Sequence, residues 1–237
     1  MRVGVTLPSF RDDAFALDAA RRAEALGLDG VFAFDHIWPL RRPDRPALSC
    51  FVLLGAVAAA TNRVALGPLV ARIGLSPDDL LVAEVASLAA MAPGRVIAGI
   101  GTGDSQSRPE NEAYGIEFAP AATRRASLAR CAEALCALGI PVWVGGGGPA
   151  TDETASARGA AVNLWEGDVA AVAAVHGRAE VTWAGPVPGD ERAVRARLDE
   201  LADAGATWAV CAWPDSLEVV AAAAEAHRSD RGPEPRR

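Results

Sequence analysis

Apolar residues along this chain fall into short continuous runs separated by longer stretches with helical spacing. The runs cover residues 3–7, 30–34, 64–70 and 96–100, then 141–144, 161–165, 181–184 and 208–213. None shows the period-two alternation of a half-exposed strand, so each reads as a strand covered on both faces. Between the runs, apolar positions recur every three or four residues. Ala16, Ala20, Ala23 and Leu26 form one such stripe, and Leu81, Val85 and Leu88 another. Leu128, Cys131, Leu135 and Leu138 form a third, and Val194, Leu198 and Leu201 a fourth. This spacing predicts helices that each bury one face. Gly27 and Gly139 stand where such helices stop. Ser76 reads as an N-cap, with Pro77 at the first helical position and acids after it. Residues 51–60 read as an apolar helix. Residues 38–49, and the polar stretch from Asp104 to about Pro120, read as loops.

Eight strand-like runs alternating with helices imply a parallel sheet, and eight units imply that it closes. The expected fold is α/β, a single compact (β/α)8 TIM barrel with short insertions. The 237 residues sit slightly under the ~250 typical of that fold, and the units after Pro141 are compressed. One domain, residues 1–227, is expected, with residues 228–237 as a charged, frayed tail.

Composition narrows the function classes. Hydrophobic residues make up 51% of the chain, yet no run approaches the ~20 apolar residues of a membrane span, and no basic-then-apolar signal segment opens it. The expectation is a soluble, cytoplasmic protein with no membrane partner. A net charge of −7 argues against a nucleic-acid partner, which calls for a basic stripe. All 23 basic residues are Arg. The absence of Lys removes a Schiff-base lysine and a P-loop lysine. Cys50, Cys131, Cys136 and Cys211 form no CxxC pair and the histidines form no HxH or HExxH, so packed thiols and no metal are expected.

Chemistry-bearing residues gather where the strands end. Asp35-His36-Ile37-Trp38 follows the second strand, Arg72 the third, and Thr102-Gly103-Asp104 the fourth. Gly145, Gly146, Gly147 and Gly148 follow the fifth, and Trp165-Glu166 the sixth. The turns that open most strands carry little beyond Gly, Pro or Arg. In barrels of this type the active site sits at the strand C-termini, so the asymmetry points to a site there. His36 is the only histidine at a strand end; it reads equally as a proton-transfer group or as a cap on a backbone carbonyl. Four consecutive glycines before a helix suit an anion, because free N–H groups and the helix dipole point outward. Trp38 and Trp165 offer bulk to wall a flat ring, and Arg41, Arg42 and Arg45 offer charge to an anionic tail.

In their order and spacing, the stretches LDGVFAFDH, AAATNRVALGPLV, GRVIAGIGTGD with ENEAYGI, and PVWVGGGGP resemble the luciferase-like monooxygenase superfamily, in particular its deazaflavin-dependent oxidoreductase branch. The resemblance covers nearly the whole chain. It implies a (β/α)8 barrel whose mouth holds the ring of coenzyme F420, or alternatively FMN. Asp35, Leu69 and Val70 would contact the ring, with a non-prolyl cis peptide at Leu69–Val70. Thr102 and Gly103 would line its edge, and Gly145, Gly146, Gly147 and Gly148 its tail. His36 would remove the hydroxyl proton of a small-molecule substrate, and Asp104 would serve the ring nitrogen. The chain departs from the branch in having Asp104 where glutamate is usual and Leu40 where tryptophan is frequent. It is also short for the family, so its mouth would be more open or completed by a partner subunit in a homodimer. An FMN-dependent monooxygenase or flavin reductase, and a non-catalytic barrel acting as a cofactor-binding or partner subunit, are the competing readings. A glycosidase needs paired carboxylates and a Rossmann dehydrogenase needs GxGxxG after the first strand; both fit less well.

Overall fold

The expected strands form one sheet that curls back on itself. The structure, a computed structural model, describes residues 1–9, 13–38, 42, 43, 45 and 47–231. Its strands are β1 (Arg2–Thr6), β2 (Gly30–Ala33), β3 (Ala65–Pro68), β4 (Ala71–Arg72), β5 (Ala98–Gly101), β6 (Val142–Gly145), β7 (Ala161–Trp165), β8 (Val181–Gly185) and β9 (Ala206–Cys211). All pairings are parallel, in the order β3-β2-β1-β9-β8-β7-β6-β5-β4. Of the third expected strand, 64–70, β3 forms the part 65–68; it stops at Leu69–Val70, whose peptide bond is cis, and β4 follows as a separate piece. β3 pairs with β2, whereas β4 pairs with β5 through Ala71 opposite Ile100 and Arg72 opposite Gly101. The remaining gap is bridged where Leu66 N–H donates to the Arg95 carbonyl (2.9 Å) and Ile97 N–H to that of Leu66 (3.0 Å). The sheet thus closes into the expected barrel.

Around it lie α1 (Asp13–Ala25), α2 (Cys50–Ala60), α3 (Asp78–Met91), α4 (Arg108–Ala113), α5 (Ala121–Ala137), α6 (Pro149–Ser156), α7 (Val169–His176), α8 (Glu191–Asp203) and α9 (Leu217–Arg231). The predicted stripes of α1, α3 and α8 are buried or partly buried against the strands. Four details differ from the sequence reading. Leu138 is exposed, because α5 ends at Ala137. Pro77, not Ser76, is the N-cap of α3, and it makes no side-chain capping hydrogen bond. α4 lies inside the stretch read as a loop. The tail expected from Arg228 begins within α9, where Arg228 pairs with Asp29 at 3.3 Å and Arg231 pairs with Asp199 and Asp203; these ion pairs tie the last turn to the barrel. Residues 232–237 lie outside the described residues.

The barrel is filled by rings. Phe32 of β2 stacks on Trp143 of β6, with centroids 5.1 Å apart, and Trp208 of β9 meets both edge-on at 5.9 and 5.4 Å. These buried aromatics, with Leu69, Ile97 and Val210, form a plug separate from the larger core between strands and helices. The plug is the floor on which the mouth is built.

The closing seam leaves no room for side chains. A Cβ on Gly67 would lie 1.8 Å from the Ile97 carbonyl oxygen, and one on Gly99 would lie 2.2 Å from that of Pro68. Gly67→Ala and Gly99→Ala should each cost about 3 kcal/mol or more, a fall in Tm of roughly 6–12 °C by calorimetry. Gly177, in ordinary αR geometry with nothing within 4 Å, is the control; its alanine variant should be at least as stable as the parent.

A second expectation concerns pH. His227 on α9 is fully buried, its Nδ1 2.6 Å from Asp199 of α8 and its Nε2 without a partner. Burial pushes the imidazole below the usual histidine range, outweighing the opposing pull of Asp199. The unfolded chain therefore binds a proton that the folded chain resists. His227 accordingly contributes stability that is present above about pH 6.5 and lost as pH falls below it. Between pH 7.5 and 5.5, Tm should fall more steeply in the wild type than in His227→Gln. Parallel curves would place the acid sensitivity elsewhere.

Candidate functional site

At the C-terminal ends of the strands the plug gives way to an open cavity of about 630 Å³, within the ~300–1,000 Å³ range of small-molecule sites. Its walls come from successive strand ends. β2 supplies Phe34, Asp35 and His36; the break between β3 and β4 supplies Leu69 and Val70; and β4 supplies Arg72. β5 leads into Thr102, Gly103 and Asp104, β6 into Gly145 and Gly146, and β7 brings Asn163 and Trp165.

The Val70 side chain packs against the glycines of the neighbouring strands. A Cβ on Gly101 would strike Val70 Cγ2 at 2.5 Å, and one on Gly145 would lie 3.6 Å from both Val70 methyls. Trp165, 46% exposed, stands at the rim with Phe34 against it edge-on at 5.6 Å. Trp38 does not line the cavity; it packs on Tyr114, 5.7 Å away. Thr102 is held by its carbonyl, which accepts from Arg124 Nε of α5 at 2.8 Å. Gly103 makes the turn with φ +66°.

The charged part of the site is built around a residue that the sequence reading passed over. Glu110, in the first turn of α4, has no exposed surface. Its Oε2 lies 3.0 Å from His36 Nδ1 and 3.0 Å from Arg72 Nη2. The Arg72 contact is an ion pair, since Nη2 is not aligned for a hydrogen bond. Glu110 Oε1 accepts from the backbone N–H groups of Ile37 and of Trp38, the latter at 3.1 Å. Arg72 also reaches Asp35: its backbone N–H donates to Asp35 Oδ2 (2.9 Å) and its Nε to the Asp35 carbonyl (3.0 Å). Asn111 Oδ1 accepts from Arg72 Nη1 at 3.4 Å.

The titration directions follow from these contacts. Burial raises Asp35, and the Arg72 N–H and charge only partly offset it. Burial also acts to raise Glu110, but the His36 hydrogen bond, the Arg72 charge and the Ile37 N–H prevail and hold it below the usual glutamate range. Arg72 is lowered by burial against the pull of Glu110, Asp35 and Asp104. It is a buried cation whose charge is already used by carboxylates.

Of the residues singled out from sequence, Asp35, His36, Leu69, Val70, Thr102, Gly103, Asp104, Gly145 and Gly146 line one cavity. Gly147 and Gly148 do not; they lead into α6, with Gly148 as its N-cap. Gly146 is constrained by packing, since a Cβ there would lie 2.3 Å from Val162 Cγ1. Asp104 is exposed at the rim and caps the turn Ser105–Ser107, its Oδ1 accepting from Gln106 N–H at 2.8 Å. Leu40 and Arg41 lie outside the described residues; Arg42 and Arg45 are exposed. Glu110 and Asn111 were missed because α4 is too short to show periodicity, although Pro109 followed by an acid was a helix-start signal. Asn163, which donates to Thr182 Oγ1 at 2.9 Å, was legible only as a polar residue inside an apolar run.

Comparison with known proteins agrees with this architecture. The family model described as luciferase-like monooxygenase matches residues 1–139. An F420-dependent glucose-6-phosphate dehydrogenase of Kineococcus radiotolerans is 41% identical over 112 residues, 47% of this chain and 32% of the relative. The same-named protein of Beutenbergia cavernae is 42% identical over 86 residues, 36% of this chain and 26% of the relative. The matches thus span about a third or less of these relatives' length. Among solved structures, an F420-dependent secondary alcohol dehydrogenase in complex with an F420-acetone adduct superposes with a TM-score of 0.82 at 14% identity, covering 96% of this chain and 99% of that one. A coenzyme F420 dependent tetrahydromethanopterin reductase from Methanopyrus kandleri superposes at 0.74 and 15%, covering 97% and 99%. Monooxygenase RslO1 from Streptomyces bottropensis does so at 0.73 and 16%, covering 98% and 99%. At these identities the structural likeness shows the fold.

The capping role of Asp104 can be separated from any chemical one. Asp104→Ala should cost about 1 kcal/mol, a fall in Tm of about 2–4 °C. Asp104→Asn, which keeps an acceptor oxygen, should retain the parental Tm. Equal losses in the two variants would show that charge, rather than the cap, supports the turn.

Proposed function

The chain belongs to the luciferase-like monooxygenase family, and on that premise we propose that it is an oxidoreductase moving a hydride between coenzyme F420 and a small organic alcohol or its carbonyl. The observation that carries this reading is the position of His36. The ring borders the cavity with Nδ1 occupied by Glu110, leaving Nε2 for a ligand, in the cavity also lined by Leu69, Val70, Gly101 and Gly145.

The residues present fit the coenzyme. The Val70 side chain, packed against Gly101 and Gly145, offers an apolar floor to a planar ring, and Trp165 walls one side. Gly148 caps α6 without a side-chain hydrogen bond; Pro149 has no N–H and those of Thr151 and Asp152 donate to the Gly148 carbonyl, so the Ala150 N–H is the first-turn donor offered to an anionic tail. Bound F420 supplies the hydride acceptor or donor. In alcohol oxidation, His36 Nε2 takes the hydroxyl proton; the O–H electron pair becomes part of the carbonyl as the C–H bond gives up its hydride. In the opposite direction the same nitrogen returns the proton. Asp104, at the rim, is the acid assigned to the coenzyme's ring nitrogen. The named relatives and the two F420-dependent structural neighbours support the choice of F420 over FMN.

Equilibrium binding of F420 and FMN to one preparation is the direct test, with tighter binding of F420 expected; exclusive binding of FMN would replace F420 in this reading, and binding of neither would favour a non-catalytic barrel. His36→Ala should keep coenzyme affinity nearly intact and lower kcat by ~10²–10⁴-fold, while Asp104→Asn should lower kcat with Tm unchanged. Full turnover in His36→Ala would remove His36 from the chemistry.

A further inference from the structure

A buried carboxylate needs a reason, because removing one from water costs several kcal/mol unless its partners compensate. The two oxygens of Glu110 do different things. Oε1 takes the Ile37 and Trp38 N–H groups and so holds the chain just after His36. A loop clamp would be complete with that oxygen alone. Oε2 is given to His36 and Arg72.

We propose that Glu110 is the positioning residue for His36, fixing which ring nitrogen carries the hydrogen, with Arg72 keeping the carboxylate ionised. The role given to His36 rests on the function proposed above; the arrangement itself does not. An ionised carboxylate can only accept. At 3.0 Å, His36 Nδ1 must therefore be the protonated nitrogen, and the neutral ring then has its lone pair on Nε2, the nitrogen left for a ligand. The carboxylate thereby selects the tautomer able to take a proton from a bound molecule.

The surrounding charges give a second reason. Asp35 faces the cluster from the end of β2, Arg72 from β4, Glu110 from α4, and Asp104 acts on Arg72 from the rim. Burial raises Asp35, whereas Glu110, against the same pull of burial, is held low by the His36 hydrogen bond and the Arg72 charge, so Glu110 is the carboxylate that meets the His36 ring as an anion. The segment between Gly103 and Gly115 accordingly does more than cover the mouth: its short helix delivers this carboxylate beneath the Asp35-His36 pair.

Nitrogen-15 NMR of histidine-labelled apo-protein reads the tautomer directly. The chain has three histidines, so loss of one signal set in His36→Ala assigns the ring. The wild type at neutral pH should show His36 protonated on Nδ1 and bare on Nε2; the hydrogen on Nε2 would overturn the proposal. This readout needs neither coenzyme nor substrate, so failure of F420 to bind would sink the functional reading and leave this one standing. Glu110→Gln should give mixed tautomers and lower kcat ~10–100-fold, with coenzyme Kd changed little. Glu110→Asp, which keeps the charge, should partly restore both the single tautomer and kcat. A kcat and tautomer identical to the parent's would reduce Glu110 to a loop clamp. Because Glu110→Gln removes one of Arg72's carboxylate partners and can impair folding, the double variant Glu110→Gln/Arg72→Gln removes both charges, and the same mixing of tautomers is expected of it. Should neither variant fold, the wild-type spectrum alone decides.

Discussion

Closure of the barrel at one narrow seam is the constraint on which everything else here depends. β3 pairs only toward β2 and β4 only toward β5, so the sheet would stay open but for the contact of Leu66 with Arg95 and Ile97. Backbones must touch there, and Gly67 and Gly99 allow it by having no Cβ to intervene. The same closure sets the ends of β2, β4 and β5 side by side. Asp35 and Arg72, 37 positions apart, become hydrogen-bonded neighbours as a result. The aromatic plug of Phe32, Trp143 and Trp208 fills the interior below, so a ligand is confined to the mouth.

The second constraint is electrostatic. Arg72 and Glu110 are both almost wholly buried, a costly arrangement unless each charge meets several partners. Here each does. Arg72 touches Asp35, Glu110 and Asn111, and Glu110 touches Arg72, His36 and two backbone N–H groups. The cluster holds rigid the strand end that carries His36, while the opposite wall is shaped by glycines and Trp165.

Much of this was legible in the chain. Strands buried on both faces lose the alternating pattern and read as apolar runs, so eight of them announced a closed parallel sheet. Reading only the residues just after each run found Asp35, His36, Arg72, Thr102 and Gly103, because a parallel barrel collects all its strand C-termini on one face; Leu69 and Val70 came from the family resemblance. The glycine run was read as a single cradle, and the structure divides it. Gly145 and Gly146 belong to the cavity wall, and Gly147 and Gly148 lead into α6.

What the sequence determined by itself is therefore the periodic part: the barrel, the end of it that carries chemistry, and most residues of the mouth. The tertiary structure decided the rest. Six helical residues, Arg108–Ala113, are too few to show a 3.6-residue period, so α4 was hidden in a polar stretch. Nothing local marked Glu110 and Asn111 as buried between the exposed Pro109 and Glu112. Glu110 is buried because a distant arginine and histidine meet it there, and that meeting exists only once the barrel has closed. Local spacing records what each segment packs against, whereas the partners of a buried charge are chosen by the whole fold.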